Sequence, residues 1–496
     1  MNPGWIPSTT VLVGWLLTPY LAGFSVALLP ALAAPLLLLS GLSTALLGAW
    51  ALLSGESVPL QLLGEYGVSL SLDPLAGWFL LLAGPVFLAV WLEARRQGWD
   101  RSGWLLLLVL LGALNISFLT TDLVSLYVGL EVVAISAFLL LLQGVGVDSG
   151  WIALCYLLVS GTAMTLYLIG TALVYAQSGS FRFEALAALP AGAPLAFVLV
   201  GLLTKSGVFL NGLWLPRTHA EAPAEVSALL SGVVVSAGAL PLLRLEQLNG
   251  EIQSLITPIA LAGAALGVLH ALVVDDAKRL LAWSTLAQMG LVVLSPGAGG
   301  LMALSHGLAK AALFLTARHW PGRSLHDWHE RPLAWSLQLP LWAAALSIAG
   351  LPPLLGFSAK KQLQAGLAAG PGWLLLLLSI GSVAIYARLC GAAWRWRPRP
   401  PLCWGALLLT LPLLLAAPVA MASIGAGPIG LLQALATLLI GLLLHLGLDW
   451  LGRGDRLALP PLDRLPDLLG GLGLVGAGLL VAMAAATPAT IQAGVG

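Results

Sequence analysis

Charge is what this sequence has least of. Of 496 residues only 9% are Asp, Glu, Lys or Arg, while 59% are hydrophobic. Soluble domains carry about 25% charged residues. With so little polar surface, a fold of this size needs a solvent that accepts apolar side chains, and that solvent is lipid. Cysteine is nearly absent too. Cys155, Cys390 and Cys403 stand singly in or beside apolar runs, which argues against a disulfide framework and against a metal site. A Gly-rich phosphate loop, a Cys or His metal pattern and a nucleophile elbow are all missing. The sequence therefore predicts no cofactor and no soluble active site, and it offers nothing for nucleic acid. The first apolar run, from about Thr10 to Leu28, has no basic segment before it, so no cleavable signal peptide is expected.

What the chain has in abundance is apolar runs of spanning length. A spanning helix needs roughly 20 apolar residues. That rule predicts helices near 9–28, 31–53, 74–92, 102–120, 122–144, 151–176, 191–214, 225–244, 253–274, 279–296, 299–318, 337–366, 371–393, 403–423, 427–449 and 466–488. The expected fold is all-α and polytopic, with 14–16 transmembrane helices. Only Val58 to Leu72 alternates, around Glu65 and Gly67, and it reads as a small surface hairpin.

The sparse charges carry orientation. If the loop after the third helix is cytoplasmic, that side collects Arg95, Arg96, Arg101, Arg217, Lys278, Arg279, Arg318, Arg323, Arg331, Arg395, Arg397, Arg399, Arg453, Arg456 and Arg464. The opposite side collects only Arg182 and Arg244. The positive-inside rule then places both termini outside. Four regions follow: 1–101 with the N-terminal helices and hairpin, a five-helix block at 102–246, a second at 253–396, and C-terminal helices at 403–496. An odd number of helices per block inverts the second relative to the first, an architecture common in secondary transporters. The fourth helix of each block carries a lysine near a break: Lys205 before Asn211-Gly212, and Lys360 after Pro352-Pro353.

There are 17 arginines and five lysines; nearly all the arginines fall in loops, whereas Lys205, Lys310 and Lys360 fall inside apolar segments. Arginine stays charged, but a buried lysine can release its proton. A mid-membrane lysine costs about 2.5–3.5 kcal/mol on insertion scales, so repeated use suggests function. The plainer alternative is snorkelling to the interface, the reading preferred for Lys361. Glu131 is a lone carboxylate about nine residues into a helix that Asp122 caps; it is either a functional group or a hydrogen-bonded packing residue. Its natural partner is Lys205, because a pair is cheaper to bury than a lone charge. His306 and Lys310 are four residues apart and so share one helix face, able to pass a proton or simply to form a polar packing stripe. His219, His319, His326 and His329 read as surface loop residues, and His270 and His445 receive no role.

Five segments resemble one family: TDLVSLYVGLE (121–131), LLTKSGVFLNGLWLPRTHAEAPAEVSALLSG (202–232), DDAKRLLAWSTLAQMG (275–290), SHGLAKAALFL (305–315) and AGLPPLLGFSAKK (349–361). They are similar to the antiporter-like subunits, namely the large membrane subunits of respiratory complex I and the D-type subunit of multisubunit sodium/proton antiporters. The resemblance covers about residues 60–400. It implies two inverted five-helix repeats, each with a broken fourth helix. It also implies a proton pathway through Glu131, its ion-pair partner Lys205, His306, the central Lys310 and the terminal Lys360. Ser236 stands where many relatives have a lysine linking the half-channels, and Met302 where some have a histidine. A hydroxyl can order water but cannot hold a proton as a charged site.

The favoured expectation is an ion-translocating subunit of a cation(Na+)/proton antiporter, a transporter subunit and not an enzyme. Its partners would be other membrane subunits, the lipid bilayer, protons and Na+, in a bacterial plasma membrane or a thylakoid membrane. The run PRTHAEAPAEVSALLSG and the lack of a histidine at Gly212 favour that branch. The alternatives are a proton-pumping subunit of a complex I-like oxidoreductase and a structural subunit with a degenerate channel, the latter resting on Ser236.

Overall fold

The computed structural model describes residues 6–64, 67–144, 148–330, 333–367, 372–391, 394–395, 402–415, 422, 428–451 and 459–486. Helices α1 (Thr9–Leu28) and α2 (Ala33–Ser54) lead into an antiparallel hairpin of β1 (Val58–Gln61) and β2 (Ser69–Leu72). Then come α3 (Pro74–Gln97), α4 (Arg101–Leu119), α5 (Leu123–Leu141), α6 (Ser149–Ser178) and the short α7 (Phe183–Ala188). The next span is interrupted. It comprises α8 (Ala193–Ser206), a 3-10 turn at Phe209–Gly212 and α9 (Leu215–Glu221). A π-turn at Leu230–Val234 joins α10 (Ala224–Leu229) to α11 (Ser236–Leu248). Helices α12 (Gly250–Val273), α13 (Ala277–Val292), α14 (Pro296–Thr316) and the short α15 (Asp327–Glu330) follow. A second interrupted span consists of α16 (Trp335–Ala349) and α17 (Leu355–Gly366). The last helices are α18 (Gly372–Cys390), α19 (Trp404–Leu415), α20 (Pro428–Trp450) and α21 (Leu465–Ala486).

The protein is thus all-α and polytopic. Among the described residues twelve helices are long and apolar enough to cross a membrane, or thirteen with the bent pair at α8–α9. Each of the sixteen expected segments overlaps a helix; the shortfall comes from α13, which is 16 residues long, and from α16 and α19, shortened by a break or by the limits of the described residues. The few acids are spent where helix geometry demands an acceptor. Asp73, Asp100, Asp122 and Asp276 each cap a helix by accepting from a backbone N–H, which satisfies donors the first turn leaves free.

Both interrupted spans stop at a left-handed glycine: Gly207 at φ +69° ends α8 and Gly350 at φ +89° ends α16. Glycine takes that conformation without steric cost, which is how a helix ends inside a bundle. The α8–α9 pair bends by 44° at its break.

Helices α10–α11 and α14 form the centre and are buried along their spanning windows, whereas α20 is almost wholly peripheral. Glycines permit the close approaches. A Cβ at Gly238 of α11 would lie 2.4 Å from the Ser206 nitrogen and 2.7 Å from the Lys205 carbonyl carbon, so α11 runs directly over the end of α8.

Some of the described loop arginines join ion pairs at the ends of α9, α13 and α14. Arg323 pairs with Glu221 at 2.9 Å and Asp276 at 2.7 Å, and Arg318 with Glu225 at 3.4 Å. Arg244 corrects the sequence reading. It is not a loop residue but a buried member of α11, held by Asp73 and by the Phe118 carbonyl at 3.1 Å.

Candidate functional site

The first cluster forms where α8 ends. Lys205 lies in the last turn of α8, where carbonyls without intrahelical partners favour a cation. Its Nζ is 3.7 Å from Glu131 Oε1 of α5 and donates to Ser160 Oγ of α6 at 2.6 Å and to the Leu130 carbonyl at 3.2 Å. The expected partnership of Glu131 and Lys205 is therefore present. The two ends differ in exposure: the Lys205 side chain is 7% exposed and that of Glu131 26%, which leaves part of the glutamate side chain at the bundle's outer face. The Glu131 Oε1 atom is buried without a hydrogen-bond partner, so the ion pair at 3.7 Å is its polar contact.

The second cluster lies on α14. Lys310 is fully buried and donates to the Leu281 carbonyl at 2.7 Å and to Ser284 Oγ, both on α13. Tyr386 of α18 covers it, with the ammonium 5.5 Å from the ring centroid and the hydroxyl 3.1 Å from Ser284 Oγ. His306 is one turn away on the same helix, buried, with both ring nitrogens unpartnered. Among the described residues no carboxylate lies within ion-pair distance of Lys310. An ammonium held by neutral oxygens can give up a proton without stranding a counter-charge.

Lys360 stands apart, on α17. It reaches back across the second break to donate to the Ala349 carbonyl at 3.2 Å. With Lys361, Gln364, Gln433 and Thr437 it borders a cavity of about 80 Å³ between α17, α18 and α20. Ser236, the first residue of α11, is fully buried and its hydroxyl has no hydrogen-bond partner. The structure brings Glu131 to Lys205 and aligns His306 with Lys310; it makes no direct hydrogen bond between these two clusters, or from either to Ser236 or Lys360, among the described residues.

His219 overturns its surface reading. It lies in α9, fully buried, with both ring nitrogens unpartnered. Its ring is 5.8 Å from that of Trp214 and 5.7 Å from that of Phe314, which is one turn along α14 from Lys310. Position in the sequence misled here. A helix too short to be seen by hydropathy carries this histidine inward, between Pro216 and Pro223. Ser160, Ser284 and Tyr386 were also missed, since a hydroxyl in an apolar helix gives no pattern. No group of three or more His, Cys, Asp or Glu side chains among the described residues is arranged to hold a metal ion.

Paired broken helices, each with a lysine at the break, define a class of membrane protein that moves ions through its interior. The chain belongs to the family described as NADH:quinone oxidoreductase/Mrp antiporter, transmembrane, whose model matches residues 120–385. It is 31% identical over 360 residues to NADH-quinone oxidoreductase subunit N of Desulforudis audaxviator, covering 65% of this chain and 71% of that one. It is 30% identical over 323 residues to the D-type subunit of the Na(+)/H(+) antiporter of Alkalihalophilus pseudofirmus, covering 56% and 64%. The fold is shared with a chain of the membrane-bound sulfane sulfur reductase, an archaeal respiratory membrane complex, at TM-score 0.75 and 21% identity over 89% of this chain and 99% of that one. It is shared also with a chain of the Mrp complex from Dietzia sp., at TM-score 0.73 and 23% identity over 96% and 60%.

Proposed function

We propose that this chain is the ion-translocating subunit of a multisubunit cation/proton antiporter, with Na+ as the coupled cation. The observation that carries this is the Glu131–Lys205 ion pair at the first broken helix, 3.7 Å apart and backed by Ser160 and the Leu130 carbonyl. Lys205 has two kinds of acceptor, a charged one and neutral ones. Shifting between them changes the cost of keeping its proton, because an opposite charge favours the ammonium and burial disfavours it. The released proton moves towards Lys310 by way of His306, His219 and the hydroxyl of Ser236, and leaves at Lys360 beside its cavity. These groups bind, hold and pass protons; none forms a covalent intermediate, so the chain acts as a transporter subunit and not as an enzyme.

Two features support partners in the membrane. Related folds occur within multisubunit complexes. In addition, a glutamate side chain that is 26% exposed on a spanning helix is costly against lipid, so a neighbouring subunit covering the α5 face fits Glu131 best. The excess of arginines in the loops of one side supports a cytoplasmic assignment for the α3–α4 loop, with the N-terminus outside, in the plasma membrane of a bacterium.

The second reading, a proton-pumping subunit of a quinone-reducing complex, is favoured by the identity to subunit N. The test is to express the chain with its neighbouring gene products in a strain lacking its own antiporters and follow proton movement in everted vesicles. Sodium-driven proton movement supports antiport. Proton pumping that needs a quinone and a reductant, with no response to sodium, supports the second reading.

A further inference from the structure

We propose that Trp214 is the gate of this path, the side chain that keeps the polar pocket at Lys205 closed to His219. The inference rests on the proton pathway described above and assigns a residue to its control.

Lys205, Tyr156, Ser160, Thr204, Trp214 and Val234 enclose a cavity of about 10 Å³. That is about the room one water needs, and the site has the polar partners a water requires. His219 is not part of its wall. The indole of Trp214 packs on Tyr156 at 5.1 Å on the cavity side and on His219 at 5.8 Å on the other. One ring therefore stands between the Lys205 pocket and His219, whose own ring packs on Phe314 of the Lys310 helix. An indole donates one hydrogen bond and accepts none, so it cannot relay a proton. While it stays in place the chain of proton carriers is interrupted.

The ring is latched to the break itself. Trp214 Nε1 donates to the Thr204 carbonyl at 3.0 Å, the same oxygen that accepts from the Gly207 N–H closing α8. Asn211 Nδ2 holds Thr204 Oγ1 at 2.9 Å and the Val200 carbonyl at 3.2 Å. The segment after the break thus closes on the turn that carries Lys205. A small rearrangement of that turn, such as one that moves the ammonium between Glu131 and Ser160, acts directly on the acceptor that holds the indole. Gate position and lysine position are mechanically linked, which is what coupling needs: a path open at all times would leak.

The test uses the whole complex in everted vesicles and reads the decay of an imposed pH gradient with no coupled cation present, at matched amounts of assembled complex. Trp214→Ala removes the barrier and is expected to speed the decay at least threefold. Trp214→Phe keeps a ring but loses the latch, and is expected to leak about twofold; it carries the test if the alanine variant assembles poorly. Adding Lys205→Ala to the leaking variant should restore the slow decay. Gradients as stable as wild type in both Trp214 variants would overturn the gate, and so would a leak that persists without Lys205. Because this readout needs no antiport, it fails independently of the proposed activity, which fails if the wild-type complex shows no cation-driven proton movement.

Discussion

Lysine, not arginine, occupies the positions of α14 and α17 that are held by neutral oxygens, fully buried at Lys310 and half-buried at Lys360, while the one arginine buried in α11 is clamped by Asp73 and the Phe118 carbonyl. The division follows from chemistry: a guanidinium stays charged, whereas an amine gives up its proton when burial makes the charge costly. Lys310→Arg should therefore leave the complex assembled but lower coupled proton movement at least tenfold, measured in everted vesicles; near-normal transport would make Lys310 a structural cation. Ser236 is a neutral station on the proposed path. If its buried hydroxyl orders water between the half-channels, Ser236→Lys should be tolerated and Ser236→Leu should block transport by removing that water. An active Ser236→Leu variant would confine the path to one repeat. At this scale legibility was uneven. Glu131 and the lysines could be read because charge is conspicuous in an apolar run. His219 could not, because its burial depends on how α9 folds back against Trp214 and Phe314.

The elements that matter are the two broken helices. Their existence was legible from the sequence, but the position of the first break was less so. Asn211-Gly212 suggested it, whereas α8 ends earlier at Gly207, and Asn211 folds back to bind Thr204 Oγ1 and the Val200 carbonyl inside α8. The π-turn at Leu230–Val234 left no trace in the hydropathy, since a single extra residue in a turn barely alters an apolar run. Packing holds the first break in place. Gly238 admits α11 to within contact of the Lys205 and Ser206 backbone, where backbone atoms have little room to give. Gly238→Ala should cost about 1–3 kcal/mol through overpacking, read as a lower melting temperature of the detergent-solubilised complex. An unchanged melting temperature would mean that α8 can shift freely.

As a whole the molecule is a tight centre of α10–α11 and α14 inside a looser ring of lipid-facing helices. Composition alone made this class legible: 59% hydrophobic residues leave no other solvent but lipid. Its assembly was not legible, because an exposed leucine facing lipid and one facing a partner look alike in sequence. The partly exposed Glu131 side chain makes the α5 face the proposed partner surface. The purified chain alone should be inactive in proteoliposomes and gain activity only with its neighbouring subunits; robust ion-driven flux from the single chain would contradict the shared-interface account. The most direct measurement of the central claim is ion-driven proton movement in everted vesicles containing the assembled complex, wild type against Glu131→Ala and Glu131→Asp. The account predicts that the alanine variant assembles and is silent, while the aspartate variant, with a carboxylate still near Lys205, keeps part of the activity. Normal transport by Glu131→Ala would reduce the ion pair to packing and contradict the account.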